Sequence, residues 1–278
     1  MRTVPLLIAT VACGLAASGQ SGPQNITPVT TRTVLTKDTI MNTMKVEIWS
    51  DVVCPFCYIG KRKFEAALEE FAGKDRVEVE WKSFELQPGT ATDTGRSIVD
   101  MLAAKYGMST AQAQATQDRV TATAKDVGLD YHLDRTFPTN TLNAHRMIHF
   151  AKAHGKQDAA KEALLHAYFT EGKNVDDQTT LLAIGAAIGL DTAALRTALE
   201  DGSYADDVRH DILEAQQLGV RGVPFFVFDR KYAVSGAQDT QVFAGTLDKA
   251  FGEWAGSNPV VKLETTEGPV CTPQGECK

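Results

Sequence analysis

Cysteine is scarce: the 278-residue chain holds five, far too few to staple a small scaffold, so their placement says more than their number. Basic runs are also missing. With 28 Lys and Arg against 35 Asp and Glu, the formal net charge is −7, which argues against nucleic acid and anionic membrane as main partners. The apolar run near the start, Val4 to Ala17, is too short to span a bilayer, so no stable membrane insertion is expected from it. Strand-like alternation is absent from Gly95 to Leu218. What is there is the composition of an ordinary globular protein, 43% hydrophobic and 23% charged, long enough to bury a sizeable core.

Two of the cysteines stand in the stretch Ser50-Asp51-Val52-Val53-Cys54-Pro55-Phe56-Cys57-Tyr58, between a strand-like run, Lys45 to Trp49, and an amphipathic helix. Phe64, Ala67, Leu68 and Phe71 share one face of that helix. Pro55 suits its first position, because the missing N–H needs no partner there and φ is already helical, and this makes Cys54 the N-cap. A thiolate at the N-cap meets unpaired backbone N–H groups and the positive end of the helix dipole. A thiol of pKa about 8.5 is roughly 3% ionised at neutral pH, and one near 6 about 90%. Cys54 therefore reads as the attacking thiol, with a lowered pKa, and Cys57, three residues on and more buried, as the resolving thiol. Lys61, Arg62 and Lys63 read as solvated positive charge nearby. A zinc knuckle is the rival reading, but it needs a second ligand pair and is not usually continued by a long helix, so no metal is expected.

The order of elements follows from alternation and caps. A strand at 45–50 leads into a helix over 54–72, ended by Gly73, and Val77 to Leu86 alternates as the next strand, closed by Pro88-Gly89. Strand, helix and strand over this length require a right-handed crossover and parallel neighbours. Cap residues then mark helices opening at Ser109, Asn140, Asp177, Asp191 and Ser203, a block expected to pack as a lid over the sheet edge where Cys54 emerges. Phe225 to Phe228 reads as a buried strand opened by Pro224, turning at Asp229-Arg230 into a partner over Tyr232 to Val234, and Thr240 to Trp254 as a last helix. Proline heading a buried strand points to a cis Val223–Pro224 bond. His145 stands on a helix, where a histidine is more often a satisfied core residue than a proton shuttle. Asp51 reads as a turn residue bonding local N–H groups, and Glu85 as an exposed strand carboxylate.

These residues carry a resemblance. A redox CxxC at a strand-to-helix turn with Gly-Val-Pro before a late strand resembles the thioredoxin fold, and the helical insertion resembles its DsbA branch. Lys45 to Gly60, Asn143-Ala-His-Arg146 and Gly219 to Phe228 are similar, more narrowly, to the FrnE group of DsbA-like oxidoreductases, over about residues 44 to 256. The resemblance implies an α/β fold: a thioredoxin-like mixed sheet, 44–90 and 219–256, with an all-helical insertion, 91–218. It implies a thiol–disulfide oxidoreductase with Cys54 and Cys57 as the redox pair and Pro224 as a cis-proline facing it. Pro55, Phe56, Val223 and His145 would meet the substrate, the Val223 backbone bonding an extended segment by strand addition. Partners would be protein thiols or disulfides and a thiol electron donor or acceptor, with no resident cofactor and glutathione as a conceivable co-substrate. Phe56 stands where DsbA itself has a histidine, which removes one stabiliser of the thiolate. A related branch isomerises aromatic compounds with glutathione, but its first active-site position is typically serine. A zinc-holding or chaperone-like binding module is the non-enzymatic rival.

Both ends add expectations. Residues 1–43 read as a secretory signal, implying a periplasmic or secreted protein, or as an upstream extension of a cytoplasmic protein started at Met41 or Met44. In the polar tail, 257–278, Cys271 and Cys277 flank Pro and Gly, and FrnE-like proteins often carry such a pair, which implies an electron relay to Cys54.

Overall fold

The structure, a computed structural model, describes residues 42–259. Strand β1, Met44–Ser50, is the hub of a four-stranded sheet. Its period-two pattern turns Met44, Val46 and Ile48 to one face, where all three are fully buried. Strand β2, Val77–Ser83, lies parallel to it, with Ile48 opposite Trp81 and Ser50 opposite Ser83. On the other side β3, Phe225–Phe228, pairs antiparallel with β1, and β4, Tyr232–Ser235, completes the order β2-β1-β3-β4. Asp229 and Arg230 both take positive φ in the tight turn between β3 and β4, at the two positions where the alternation breaks.

Helix α1, Pro55–Glu69, follows β1 and has Cys54 at its N-cap. The insertion supplies seven helices: α2, Ile98–Tyr106; α3, Thr110–Lys125; α4, Leu142–Ala153; α5, Gln157–Phe169; α6, Gln178–Ala187; α7, Thr192–Glu200; and α8, Ala205–Gln217. After β4, helix α9, Thr240–Ser257, closes the described chain. Three caps act as their residue types dictate: Ser109 and Gln112 form a reciprocal capping box, while Asp177 and Asp191 accept from the first-turn N–H groups of α6 and α7. Asn140 lies one residue early, since Thr141 holds the N-cap of α4, and α8 starts after Tyr204 rather than Ser203. Helices α2 and α5 are not among the starts expected from cap residues. Ser97 does cap α2, but Lys156 gives α5 no side-chain cap, so that start leaves no trace in the sequence.

The strand expected to reach Leu86 stops at Ser83. Backbone donors leave the ladder there: Ser83 N–H bonds the Asp211 carboxylate at 2.8 Å, and Leu86 N–H bonds Asp51 Oδ2 at 2.8 Å. The chain is thereby drawn across the end of β1. Likewise α1 ends at Glu69, short of the expected 72.

Packing sets α1 rigidly on the sheet. Phe64 is buried among Phe226, Phe228 and Phe243, with ring centroids 5.6, 6.1 and 5.9 Å away. Burying such a ring stabilises the fold by roughly 2–3 kcal/mol. On the opposite face Trp49 and Val227 pack with Ala215 and Val220, and Trp49 Nε1–H donates to the Asp211 carbonyl at 2.9 Å. The carboxyl end of β1 and the amino end of α1 are thus held between two packed layers. Among the described residues no helix is long and apolar enough to cross a membrane.

Candidate active site

Both thiols are free and buried. The turn that carries them is tightly bonded: Cys54 N–H reaches the Asp51 carbonyl at 3.3 Å, and Cys57 N–H reaches the Cys54 carbonyl at 3.0 Å. Tyr131 O–H donates to the Pro55 carbonyl at 2.7 Å, and its ring stacks on Phe169 of α5, so the insertion grips the first turn of α1. Across from the pair, the Val223–Pro224 bond is cis. Cys54 Sγ lies 3.5 Å from the Val223 carbonyl oxygen. Gly60 faces Pro224 one turn further along α1, and a Cβ there would come 2.9 Å from Pro224 Cγ.

Only one of the two sulfurs has an outlet. Cys54 lines a cavity of about 350 Å³ together with Pro55, Phe56 and Val53, whereas Cys57 is sealed behind it. Ile98, Met101 and Leu102 of α2 and Val120 of α3 form the far wall, which is the lid expected over Cys54. Phe56 is 45% exposed at the mouth, an apolar ring with no partner of its own to satisfy. The lining is largely apolar, and its polar members include Gln87, Thr90 and Gln117.

Electrostatics divide the pair otherwise than expected. Sequence reading gives the lowered pKa to Cys54; in the dithiol it falls to Cys57. Burial raises Cys57, but the hydrogen bond from Cys54, the Lys161 ammonium and the Ser50 hydroxyl outweigh it and bring that thiol below its ordinary value. Cys54 is pushed well up, first by its hydrogen bond to Cys57, then by burial and the Cys57 charge, with Asp51 adding to it. A proton passed from Cys54 to a Cys57 thiolate places the negative charge on the sulfur that faces the cavity. The N-cap geometry at Cys54 is as expected, but its effect is outweighed by the hydrogen bond between the two sulfurs and by burial, and a cation on the other side of the pair adds to the lowering at Cys57.

That cation is the residue sequence reading missed. Lys161 of α5 is 1% exposed and donates to the Ser50 carbonyl at 3.2 Å. Burial lowers its pKa to about 8 against the opposing charges of Cys57, Asp51 and Cys54. It stands 104 residues after Cys57, on a helix without a cap signal, and an isolated lysine in such a helix looks like surface. Lys61 is also misjudged as solvated: it is 2% exposed and surrounded by Glu65, Asp158 and Glu162.

His145, expected to meet the substrate, lies buried in the core. It is 1% exposed, and its Nε2 lies 3.4 Å from Asp51 Oδ1, outside the cavity lining. The ordinary reading of a helical histidine, a satisfied core residue, is the one the structure bears out. Asp51 stands in the turn, but instead of the local N–H groups expected its carboxylate accepts from Leu86 N–H, 35 residues away, and is also the partner of His145. Burial raises its pKa, but the His145 hydrogen bond and charge and the Leu86 N–H bring it below the ordinary carboxylate value. Glu85 lies beyond the strand, half-buried, and desolvation raises its pKa. Among the described residues no group of three His, Cys, Asp or Glu could hold a metal ion. Cys13, Cys271 and Cys277 lie outside the described residues, as do residues 1–41 of the signal-like segment and 260–278 of the tail.

Known proteins share this architecture. The DSBA-like thioredoxin domain family matches residues 45–248. The YwbO protein of Bacillus subtilis is 30% identical over 203 residues, covering 72% of this chain and 94% of its own. A probable DsbA oxidoreductase from Streptomyces coelicolor superposes with a TM-score of 0.71 at 42% identity, over 84% of this chain and 98% of its own. A 2-hydroxychromene-2-carboxylate isomerase shares the fold at 15% identity, with a TM-score of 0.55 over 77% of this chain and 98% of its own. A central parallel pair flanked by an antiparallel hairpin, a helix begun by two thiols and a helical insertion above them go together with that family match: the chain belongs to the DSBA-like thioredoxin-domain family.

Proposed function

We propose that the protein exchanges disulfides with protein substrates through Cys54 and Cys57. One observation carries this reading: two free thiols one helical turn apart, of which Cys54 alone reaches a cavity and abuts the backbone of Val223. Cys54 thiolate attacks a substrate disulfide, one substrate sulfur leaves as a thiolate, and a mixed disulfide remains on Cys54. Cys57 then attacks the Cys54 sulfur, the internal disulfide forms, and the second substrate sulfur leaves. Run backwards, the same steps oxidise a substrate dithiol. An extended substrate segment would bond the Val223 backbone by strand addition, with Phe56 and Pro55 packing beside the reacting sulfur. The test is catalysed reduction of a disulfide-bonded protein such as insulin with a thiol as electron donor. Turnover should vanish in Cys54→Ser and fall steeply in Cys57→Ser; turnover unchanged in both would refute it.

The cavity supports a second reading. Its apolar wall suits a small thiol conjugate, such as an aromatic compound handled with glutathione. Glutathione-dependent isomerisation that survives Cys57→Ser would favour it, because such chemistry needs one sulfur and no resolving thiol. A relay through Cys271 and Cys277 rests on the sequence, and its test is given below.

A further inference from the structure

A buried lysine is expensive unless something balances its charge. Lys61 and Lys161 make a comparison within one molecule, since both are almost fully buried and both lie over the Trp81 ring, 5.9 and 5.5 Å from its centroid. Lys61 has three carboxylates within 4 Å, Glu65, Asp158 and Glu162, and is a structural cation. Lys161 has none within that distance among the described residues. Its one hydrogen-bond partner there is the Ser50 carbonyl. Ser50 Oγ, buried and without another protein partner among the described residues, stands beside the Cys57 sulfur. The charged and titratable groups that face Lys161 are Cys57, Cys54 and Asp51 from the β1–α1 turn, and Lys61 from α1.

We infer that Lys161 is a positioning residue for the resolving step: its ammonium is the counter-cation of the Cys57 thiolate, delivered to the back of the redox pair by the helical insertion. This rests on the disulfide-exchange reading above. The step balances as follows. With a substrate sulfur bonded to Cys54, Cys57 loses its proton and attacks the Cys54 sulfur. The Cys54–Cys57 bond forms, the Cys54–substrate bond breaks, and the leaving substrate thiolate takes the electron pair and the proton. Lys161 holds the negative charge on Cys57 before attack and gives up no atom. Once the internal disulfide exists that charge is gone, and a buried ammonium without its partner binds its proton less tightly. Oxidation of the pair is therefore linked to proton release from Lys161, and by reciprocity raising the pH favours the disulfide state.

The direct test is a thiol titration without any substrate. In full-length chain with Cys13, Cys54, Cys271 and Cys277 replaced by Ser, ultraviolet thiolate absorbance reports Cys57 alone. Lys161→Met, which keeps the apolar stem and removes the charge, should raise the Cys57 pKa by about one unit or more, a tenfold loss of thiolate. Lys161→Arg, if folded, should keep most of the lowering. A second measurement needs no variant of the pair: the side-chain carbon resonance of Lys161, in wild-type protein, should titrate at lower pH in the disulfide than in the dithiol state. An unchanged Cys57 titration in a folded Lys161→Met protein, or a Lys161 titration indifferent to oxidation, would overturn the inference. Neither readout uses disulfide turnover, so failure of the exchange activity and failure of the Lys161 link are separately visible.

Discussion

Gly60 is packed against Pro224 so closely that a Cβ would stand 2.9 Å from the proline Cγ and 3.4 Å from the Phe226 ring. Glycine inside a helix costs about 1 kcal/mol relative to alanine, so an ordinary exposed helix position would gain from the replacement. Here the added methyl must push α1 off the strand that carries Pro224. Gly60→Ala should lose roughly 1–3 kcal/mol through overpacking, seen as a lower urea midpoint at unchanged slope, with slower disulfide exchange. A stabilised, fully active variant would show that α1 and Pro224 are not held in contact.

Breaking the buried Asp51–His145 pair should expose its cost and its pH dependence. The folded Asp51 pKa lies below its ordinary value of 3.8, so its contribution is fully present above that pH and is lost as pH falls through the folded value. In His145→Leu, burial is no longer opposed by the histidine and the folded pKa rises. The variant should lose roughly 3 kcal/mol at neutral pH, and its acid-unfolding midpoint should move to higher pH. Denaturant melts across the acid range check both; an unshifted midpoint contradicts the pairing.

The cavity beside Cys54 allows the two readings of function to be separated. Thr116 of α3 is part of its lining, and Thr116→Trp would fill much of its volume. Small apolar disulfides that must enter should react about tenfold or more slowly, by analogy with steric exclusion from pockets. A protein disulfide engaged at Phe56 and Val223, outside the lid, should react at nearly the wild-type rate. Stopped-flow rates with both probes decide the matter, and equal loss for both would show that protein substrates also use the chamber.

What was legible in the sequence was local. Pro55 after Cys54, alternation in β1, and the caps at Ser109, Asp177 and Asp191 each express a backbone rule within a few residues, and the chain obeys them. The proline before Phe225 likewise marked a position that a strand interior rarely tolerates. The electrostatics of the pair were not legible, because Lys161 reaches Cys57 through a tertiary contact between α5 and the end of β1. A helix dipole can be inferred from the residue after the cysteine; a buried counter-ion from a distant helix cannot. For the same reason β2 is shorter than its alternation suggests: Asp51 and Asp211 capture donors beyond and at its end from far along the chain.

The tail cysteines provide a test of the relay. If Cys271 and Cys277 pass electrons to Cys54, replacing both by serine should leave the potential of the Cys54–Cys57 pair nearly unchanged and slow turnover with external thiols severalfold. Because the exchange is within one chain, an internal Cys54–tail disulfide should form in a yield independent of dilution. Unchanged turnover, with no internal species trapped, would leave the tail cysteines without a part in the reaction.

Division of labour between the two buried sulfurs is tested most directly by trapping. Cys57→Ser protein is incubated with an oxidised protein substrate, quenched with acid and mapped by mass spectrometry. A stable mixed disulfide should accumulate on Cys54, with the matching Cys54→Ser protein giving little or none, because Cys57 is sealed behind its partner. Equal trapping on Cys57 in the Cys54→Ser protein, or no mixed disulfide on Cys54 at all, would contradict the assignment of Cys54 as the sulfur that meets substrate.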